Sequence, residues 1–467
     1  MTQRQRIPVQ QEPAPATTLY ARREPIQVRH VRGIYQKLRD AGMGISIFVY
    51  MILPWVQYNG RQAMLFDLPQ RRFDIFMFSF WPQDFMFLAW ALILSALALF
   101  ALTVFAGRVY CGYLCPQTNW TRLFFTIERW CEGDRLQRQN LAAAPWSLNK
   151  LFRRTVKHSG WLIVSLATGL TFVGYFTPIR ELIPDFFTGQ IGGWAWFWIG
   201  FFTLATYGNA GFMREQVCLY MCPYARFQSV MFDANTLIVS YDEERGEPRR
   251  RGLRKTADPG EAFGDCIDCN LCVQVCPTGI DIREGLQVGC ITCAACIDAC
   301  DEVMTRIDRP KGLIRYTTEN ALAGRLQKLL RPRLIAYGAV LGALTLLFTW
   351  QLYQRVPLQL DALRDRHELY RQTSDGFIEN SYRLELLNKS QRTQHYRLTL
   401  EGPDVLTLVA GPQIFPLASG EHRSVPVTVR YDPYEEPPAD SRIWFRVQSL
   451  DDPRQENRHE SRFIHPD

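Results

Sequence analysis

Five stretches of this chain are long, apolar and nearly free of charge, and strongly polar segments separate them. A helix that crosses a bilayer needs about 20 mostly apolar residues. By that measure the pattern predicts spans at roughly Ala41–Gly60, Phe85–Phe105, Trp161–Thr177, Ile191–Met213 and Leu334–Gln354. The second, FMFLAWALILSALALFALTVF, has neither charge nor proline, whereas the first carries Pro54. Five recurrences argue against the buried helices of a water-soluble protein. Beyond Gln354 the period changes. RLELLN, HYRLTLEG, SVPVTVRY and IWFRVQSL alternate apolar and polar positions between clusters of Gly, Pro, Asn and Asp. A period of two is that of half-buried strands, so this end reads as an all-β, immunoglobulin-like sandwich of roughly 90 residues.

Charge orients the spans, because short cytoplasmic loops are enriched in Lys and Arg. Eight such residues precede the first span and nine lie between Ala106 and Gly160, against only Arg180 between the third and fourth spans. The N-terminal segment 1–40, the Ala106–Gly160 loop and the segment 214–333 are therefore expected in the cytoplasm. Four helices fill 41–213 as two hairpins, and the fifth, 334–354, carries 355–467 to the periplasmic side. The first apolar run lacks a small-residue cleavage site and reads as a retained anchor. The net charge of +7 belongs to this bias and implies no nucleic-acid partner.

Cysteine changes the picture most. All 13 lie between Cys111 and Cys300. CIDCNLCVQVCP and CITCAACIDACD read Cys266-x2-Cys269-x2-Cys272-x3-Cys276 and Cys290-x2-Cys293-x2-Cys296-x3-Cys300, within a ferredoxin domain placed at about 258–308. This spacing resembles that of bacterial two-cluster ferredoxins. A cubane needs one thiolate per iron, and two-residue gaps wrap a chain round three corners. Structural zinc also uses Cys-x2-Cys, but it favours two pairs of ligands over two triplets each followed by a fourth. In such ferredoxins the last cysteine of each run serves the other cluster. The resemblance therefore implies two [4Fe–4S] clusters, one on Cys266, Cys269, Cys272 and Cys300, the other on Cys290, Cys293, Cys296 and Cys276. One departure is Asp301, which follows Cys300 where proline is usual.

A hexapeptide also occurs twice, CGYLCP at Cys111–Pro116 and CLYMCP at Cys218–Pro223, after the second and fourth spans. This reads as an internal duplication. On a continuous helix Cys111 and Cys115, like Cys218 and Cys222, would share one face, with Pro116 and Pro223 where that helix bends or ends. Four converging thiolates would favour Cu(I), zinc or an iron–sulfur cluster. The plainer alternative is buried small apolar residues, which is how the lone Cys131 is read. The predicted spans hold no histidine for haem, and no P-loop or dinucleotide fingerprint occurs. The basic run RGEPRRRGLRK, Arg245–Lys255, reads as a solvated linker, with an acidic electron donor or lipid headgroups as the alternative. His395, His422, His459 and His465 lack metal-site spacing and are expected at the surface.

Spans, paired CxxxCP motifs, double ferredoxin runs and the terminal sandwich together resemble the FixG/RdxA/CcoG family of cytochrome c oxidase accessory proteins. The core is also similar to the membrane ferredoxins of nitrate and nitrous-oxide respiration. The resemblance implies a multi-pass protein of the bacterial inner membrane that reduces Cu(II) to Cu(I) for assembly of cbb3-type cytochrome c oxidase. It also implies a cytoplasmic electron donor, a copper-transporting P-type ATPase, oxidase assembly factors, membrane lipid and a second copy of the chain as partners. Cys111, Cys115, Cys218 and Cys222 become the catalytic, copper-binding thiols. Two other functions fit the same residues: a quinol-linked electron relay whose hexapeptides hold another cluster, and an assembly scaffold with structural clusters.

Overall fold

The computed structural model describes residues 26–249, 263–327, 331–365, 368–434 and 442–465. Helices stand at all five predicted places: Ile34–Ile52, Phe85–Ala106, Leu148–Val173, Gly193–Thr206 and Pro332–Tyr353. Two of them, Pro82–Ala106 with its leading turn and Pro332–Tyr353, are long and apolar enough to cross a membrane. These two pack on each other, with the rings of Phe87 and Phe348 6.1 Å apart, and leave side chains such as Leu92 and Leu346 uncovered. The first helix starts ahead of its predicted place and stops at Ile52, because Pro54 cannot continue it. The third starts at Leu148, so Lys150, Lys157 and His158 share a helix with the apolar run that follows. His158 Nδ1 lies 2.8 Å from the Tyr207 hydroxyl.

The expected hairpin of the first two spans does not form. The segment between them folds into a short ribbon, Gln57–Tyr58 with Arg61–Gln62, and a three-stranded antiparallel sheet, Met64–Asp67, Arg72–Ile75 and Phe78–Phe80. The first helix carries Lys37, Arg39 and Asp40 beside an apolar stripe, and that stripe packs on the equally amphipathic Pro116–Glu132 helix. Phe85–Ala106, apolar all round, lies on Pro332–Tyr353 instead. The second hairpin does form. Leu148–Val173 and Gly193–Thr206 cross so closely that a Cβ on Gly169 would sit 2.8 Å from the Ile199 carbonyl oxygen.

The C-terminal strands form a sandwich from Leu358 to Arg462, longer than the expected 90 residues because edge strands join the four that alternate most clearly. Ile378–Asn388 pairs antiparallel with Leu358–Arg364 on one side and His422–Tyr431 on the other, and Leu406–Ala410 extends that sheet. The second sheet runs Ile414–Leu417, Gln394–Glu401, Arg442–Ser449, Glu456–Arg462. Inward positions of both sheets, Leu384, Leu386, Tyr396, Val429, Ile443, Phe445 and Val447, make one core. Phe445→Ala is expected to cost about 3–5 kcal/mol, read as a lower melting temperature of the sandwich by calorimetry. The sandwich meets the helical part through Asp84, which holds Arg355 at 2.5 Å and Lys389 at 3.0 Å.

Between the helices lies the cysteine-rich unit. Ile238–Tyr241 pairs antiparallel with Ile314–Thr317, closing the chain on either side of both runs. Val239, Tyr241, Ile282, Ile297, Met304 and Ile314 form its core. Of the basic run, Arg245–Arg249 are described, and Arg245 pairs with Asp265 at 2.7 Å. Residues 250–255 of that run lie outside the described residues.

Candidate metal centres

The eight cysteines of the two runs line two small cavities. One, of about 20 Å3, is lined by Cys266, Cys269, Cys272 and Cys300, with Tyr241, Arg283 and Met304 among its other walls. The second, also of about 20 Å3, is lined by Cys276, Cys290, Cys293 and Cys296, with Val239, Ile280 and Ala294. Each thus takes three cysteines from one run and the fourth from the other. Cys272 lines both, so the cavities share a wall.

The same local device builds both runs. Asp268 and Asn270 adopt left-handed backbone at φ 50° and 56°, and the equivalent Thr292 and Ala294 do so at 54° and 59°. Residues with a Cβ rarely take this conformation, and here it curls each run around its cavity. Arg283 braces the first run, reaching Asp268 at 2.7 Å and Asp281 at 2.6 Å. Thr292 donates its amide to the Cys290 sulfur at 3.4 Å. Burial pushes the Cys272, Cys290 and Cys300 thiols up to about 12. They stay protonated until a bound cation displaces the proton. Among the described residues no three or more His, Cys, Asp or Glu side chains are close enough to share a single metal ion. Two thiol-lined cavities with that spacing suit a polynuclear cluster better than one zinc ion.

The hexapeptides are not continuous helices. Cys111 lies in the short helix Val109–Tyr113, and Cys115 is extended at φ −59°, ψ 127°, just before the helix that Pro116 opens. The second copy repeats this. Cys218 lies in a wide turn, Val217–Met221, and Cys222 is extended ahead of the helix opened by Pro223. Proline is favoured at a first helical position, because its ring suits the dihedral there and no N–H partner is lost. So each proline begins a helix, and the expected i, i+4 face is replaced by a corner. Cys115, Cys218 and Cys222 nonetheless lie near enough to act on the Cys111 charge, though no three of the four are close enough to share a single metal ion. Burial raises Cys111 to about 12, with further upward contributions from Cys115, Cys218 and Cys222. Cys218 rises to about 11 for the same reasons. Cys131 is half-buried at the end of its helix, away from this group.

The hexapeptides also touch the second run. A Cβ on Gly112 would lie 2.8 Å from the Ile291 oxygen and 2.9 Å from Cys293 Cα, so the two backbones are in direct contact. From the second copy, Leu219 packs beside Gly289. Buried Arg108 ties the parts together by donating to the carbonyls of Ala225, Val288 and Cys290. Its charge draws the Cys111 and Cys218 thiols down, against the larger effect of burial. The Tyr113 and Tyr316 hydroxyls lie 3.1 Å apart, and Tyr316 donates to the Thr292 carbonyl at 2.7 Å. Tyr220, the matching residue of the second copy, is exposed. Asp298, inside the second run, accepts from the Gln36 amide at 2.6 Å and caps the first helix. Sequence reasoning missed Arg108, Tyr316 and Asp298. Arg108 stands three residues before Cys111, but nothing in its neighbours marks it, since its partners are backbone carbonyls from distant segments.

A family model described as a 4Fe-4S dicluster domain matches residues 213–319, and one described as a 4Fe-4S binding domain matches 88–130. A model for the IG-like fold at the C-terminal of FixG matches 348–466. The chain is 38% identical over 451 residues to nitrogen fixation protein FixG of Rhizobium meliloti, covering 89% of this chain and 85% of that protein. Two proteins of Cereibacter sphaeroides are similar to it: RdxB, at 42% over 84% of this chain and 85% of RdxB, and RdxA, at 40% over 82% and 84%.

Proposed function

We propose that this chain, which belongs to the FixG/RdxA family of iron–sulfur electron-transfer proteins, reduces Cu(II) to Cu(I) at the thiols of Cys111, Cys115, Cys218 and Cys222. The observation that carries this reading is the seat of the first hexapeptide on the Cys293 backbone. Two [4Fe–4S] clusters, when bound by Cys266, Cys269, Cys272 and Cys300 and by Cys276, Cys290, Cys293 and Cys296, supply one-electron chemistry. The chain's own residues do the rest. Soft sulfur ligands prefer Cu(I), so thiols of this group, once drawn together on the ion, would favour its reduced state. Copper displaces their protons to solvent. Each Cu(II) gains one electron, and a cytoplasmic donor loses one. Arg108 holds the second run and both hexapeptides in one arrangement.

In this reading all five helices cross the bacterial inner membrane. The cysteine-rich unit faces the cytoplasm, where the donor meets it, and the sandwich stands in the periplasm. Cu(I) passes to a copper-transporting P-type ATPase, and the sandwich meets the factors that assemble a cbb3-type oxidase. The uncovered apolar helices support membrane residence, and the Lys/Arg counts support the orientation.

The test is anaerobic. Protein is reduced, freed of excess reductant and mixed with Cu(II), and Cu(I) is followed with a chromogenic chelator. The Cys115→Ser, Cys222→Ser double variant is expected to form none while keeping its iron. Equal Cu(I) from the variant would refute the thiol site. One observation favours a second reading, an electron relay: the 4Fe-4S binding model covers Cys111 and Cys115. Iron distinguishes the two, with about eight atoms per chain for two cubanes and about twelve if the hexapeptides hold a third.

A further inference from the structure

A cavity of about 110 Å3 lies between the N-terminal residues Val28–Val31, the first helix, the Pro116–Glu132 helix and the Val275–Thr278 loop of the first run. Six arginines line it against two carboxylates. Arg138 and Arg214 each have a carboxylate partner in Glu128, at 3.0 and 3.3 Å. Arg39 and Arg122 are different. Arg39 is only 8% exposed, and among the described residues its side-chain hydrogen-bond partner is the neutral Gln36 side chain. Among the described residues no carboxylate pairs with it, and its Nε has no partner. Arg122 pairs at 2.5 Å with Asp40, which is half exposed, while its buried Nη1 has no partner among the described residues. Burial, and Arg39 beside it, bring the Arg122 pKa down to about 10.

Two neighbouring buried guanidinium groups with unused N–H donors are costly unless an anion completes them. Val31, Phe125, Val275 and Ile291 keep the surroundings apolar, which strengthens any ion pair formed there. The guanidinium fork matches phosphate oxygens, and a tetrahedral anion can serve two forks at once where a single carboxylate oxygen pair serves one. We propose that this cavity is a binding site for a phosphate group, held by Arg39 and Arg122 at the junction of the first helix and the ferredoxin unit. The group could belong to a soluble phosphate compound of the cytoplasm or to an anionic lipid headgroup. The chemistry is the same and the test separates the two. The proposal does not depend on copper reduction.

The full chain is placed in nanodiscs of zwitterionic lipid or of phosphatidylglycerol. Inorganic pyrophosphate is titrated by calorimetry and thermal melting, with chloride at equal ionic strength as control. A soluble ligand predicts one pyrophosphate per chain and a higher melting temperature in zwitterionic discs. Arg39→Gln then weakens binding about tenfold or more, as expected for losing charge-assisted hydrogen bonds. Without anion the same variant melts above the parent, because an unpaired buried charge is gone. A simple folding defect would melt lower. Arg39→Lys, which keeps charge but loses the fork, falls between. A lipid ligand predicts instead that phosphatidylglycerol discs already melt higher, that pyrophosphate adds nothing to them, and that Arg39→Gln removes the difference between discs. Pyrophosphate binding equal in parent and Arg39→Gln, or no anion-dependent change in either disc, overturns the site.

Discussion

Valine at Gly112 is expected to uncouple the hexapeptides from the ferredoxin unit while leaving its iron in place. Even the first atom of a side chain at this position would lie 2.8 Å from the Ile291 oxygen, 2.9 Å from Cys293 Cα and 3.1 Å from Cys293 N. Those atoms are backbone, so the obstruction cannot rotate away, and the two segments must separate. Gly112→Val should therefore lower the single-turnover rate of Cu(II) reduction several-fold, because electron transfer falls off exponentially with separation. Dithionite should still bleach its visible absorption fully, and its iron should match the parent. Gly200→Ala is the control, because a Cβ there meets nothing within 4 Å. Parent-like Cu(I) formation in Gly112→Val would mean that electrons leave by another route.

The second large effect tests the crossed sets. Cys276 follows the first run in sequence but lines the cavity of the second, and Cys300 does the reverse. Cys276→Ser should lose the same cluster as Cys290→Ser, and Cys300→Ser the same one as Cys266→Ser. Iron should fall from about eight to about four atoms per chain in each, with one of two sets of electron paramagnetic resonance features absent. If Cys276→Ser removed the features that Cys266→Ser removes, the ligands would follow sequence order and the crossed sets would be wrong.

Much of the site was legible because its information is local. The x2-x2-x3 spacing identifies a cluster-binding run, since a chain can curl round three corners only with short gaps. The sandwich was legible because one face of each sheet is buried, which forces alternation such as Leu384 and Leu386 inside with Glu385 outside. The three-stranded sheet between the first two helices was missed. Its strands are only three or four residues long, too short for a period to declare itself. Arg39 looked like one more cytoplasmic arginine, because a missing counter-charge can only be seen once the neighbours are in place.

Short-range pattern was enough to mark the two cysteine runs of a 4Fe-4S domain, the places of the apolar helices and the β structure after them, because spacing and periodicity act within a few residues. Tertiary structure decided the rest. It made each proline of the repeated hexapeptide open a helix, paired the second long helix with the last, and seated Gly112 on Cys293. It also left Arg39 buried without a carboxylate among the described residues. These outcomes depend on contacts between segments far apart in the chain, where shape and charge are matched only after folding.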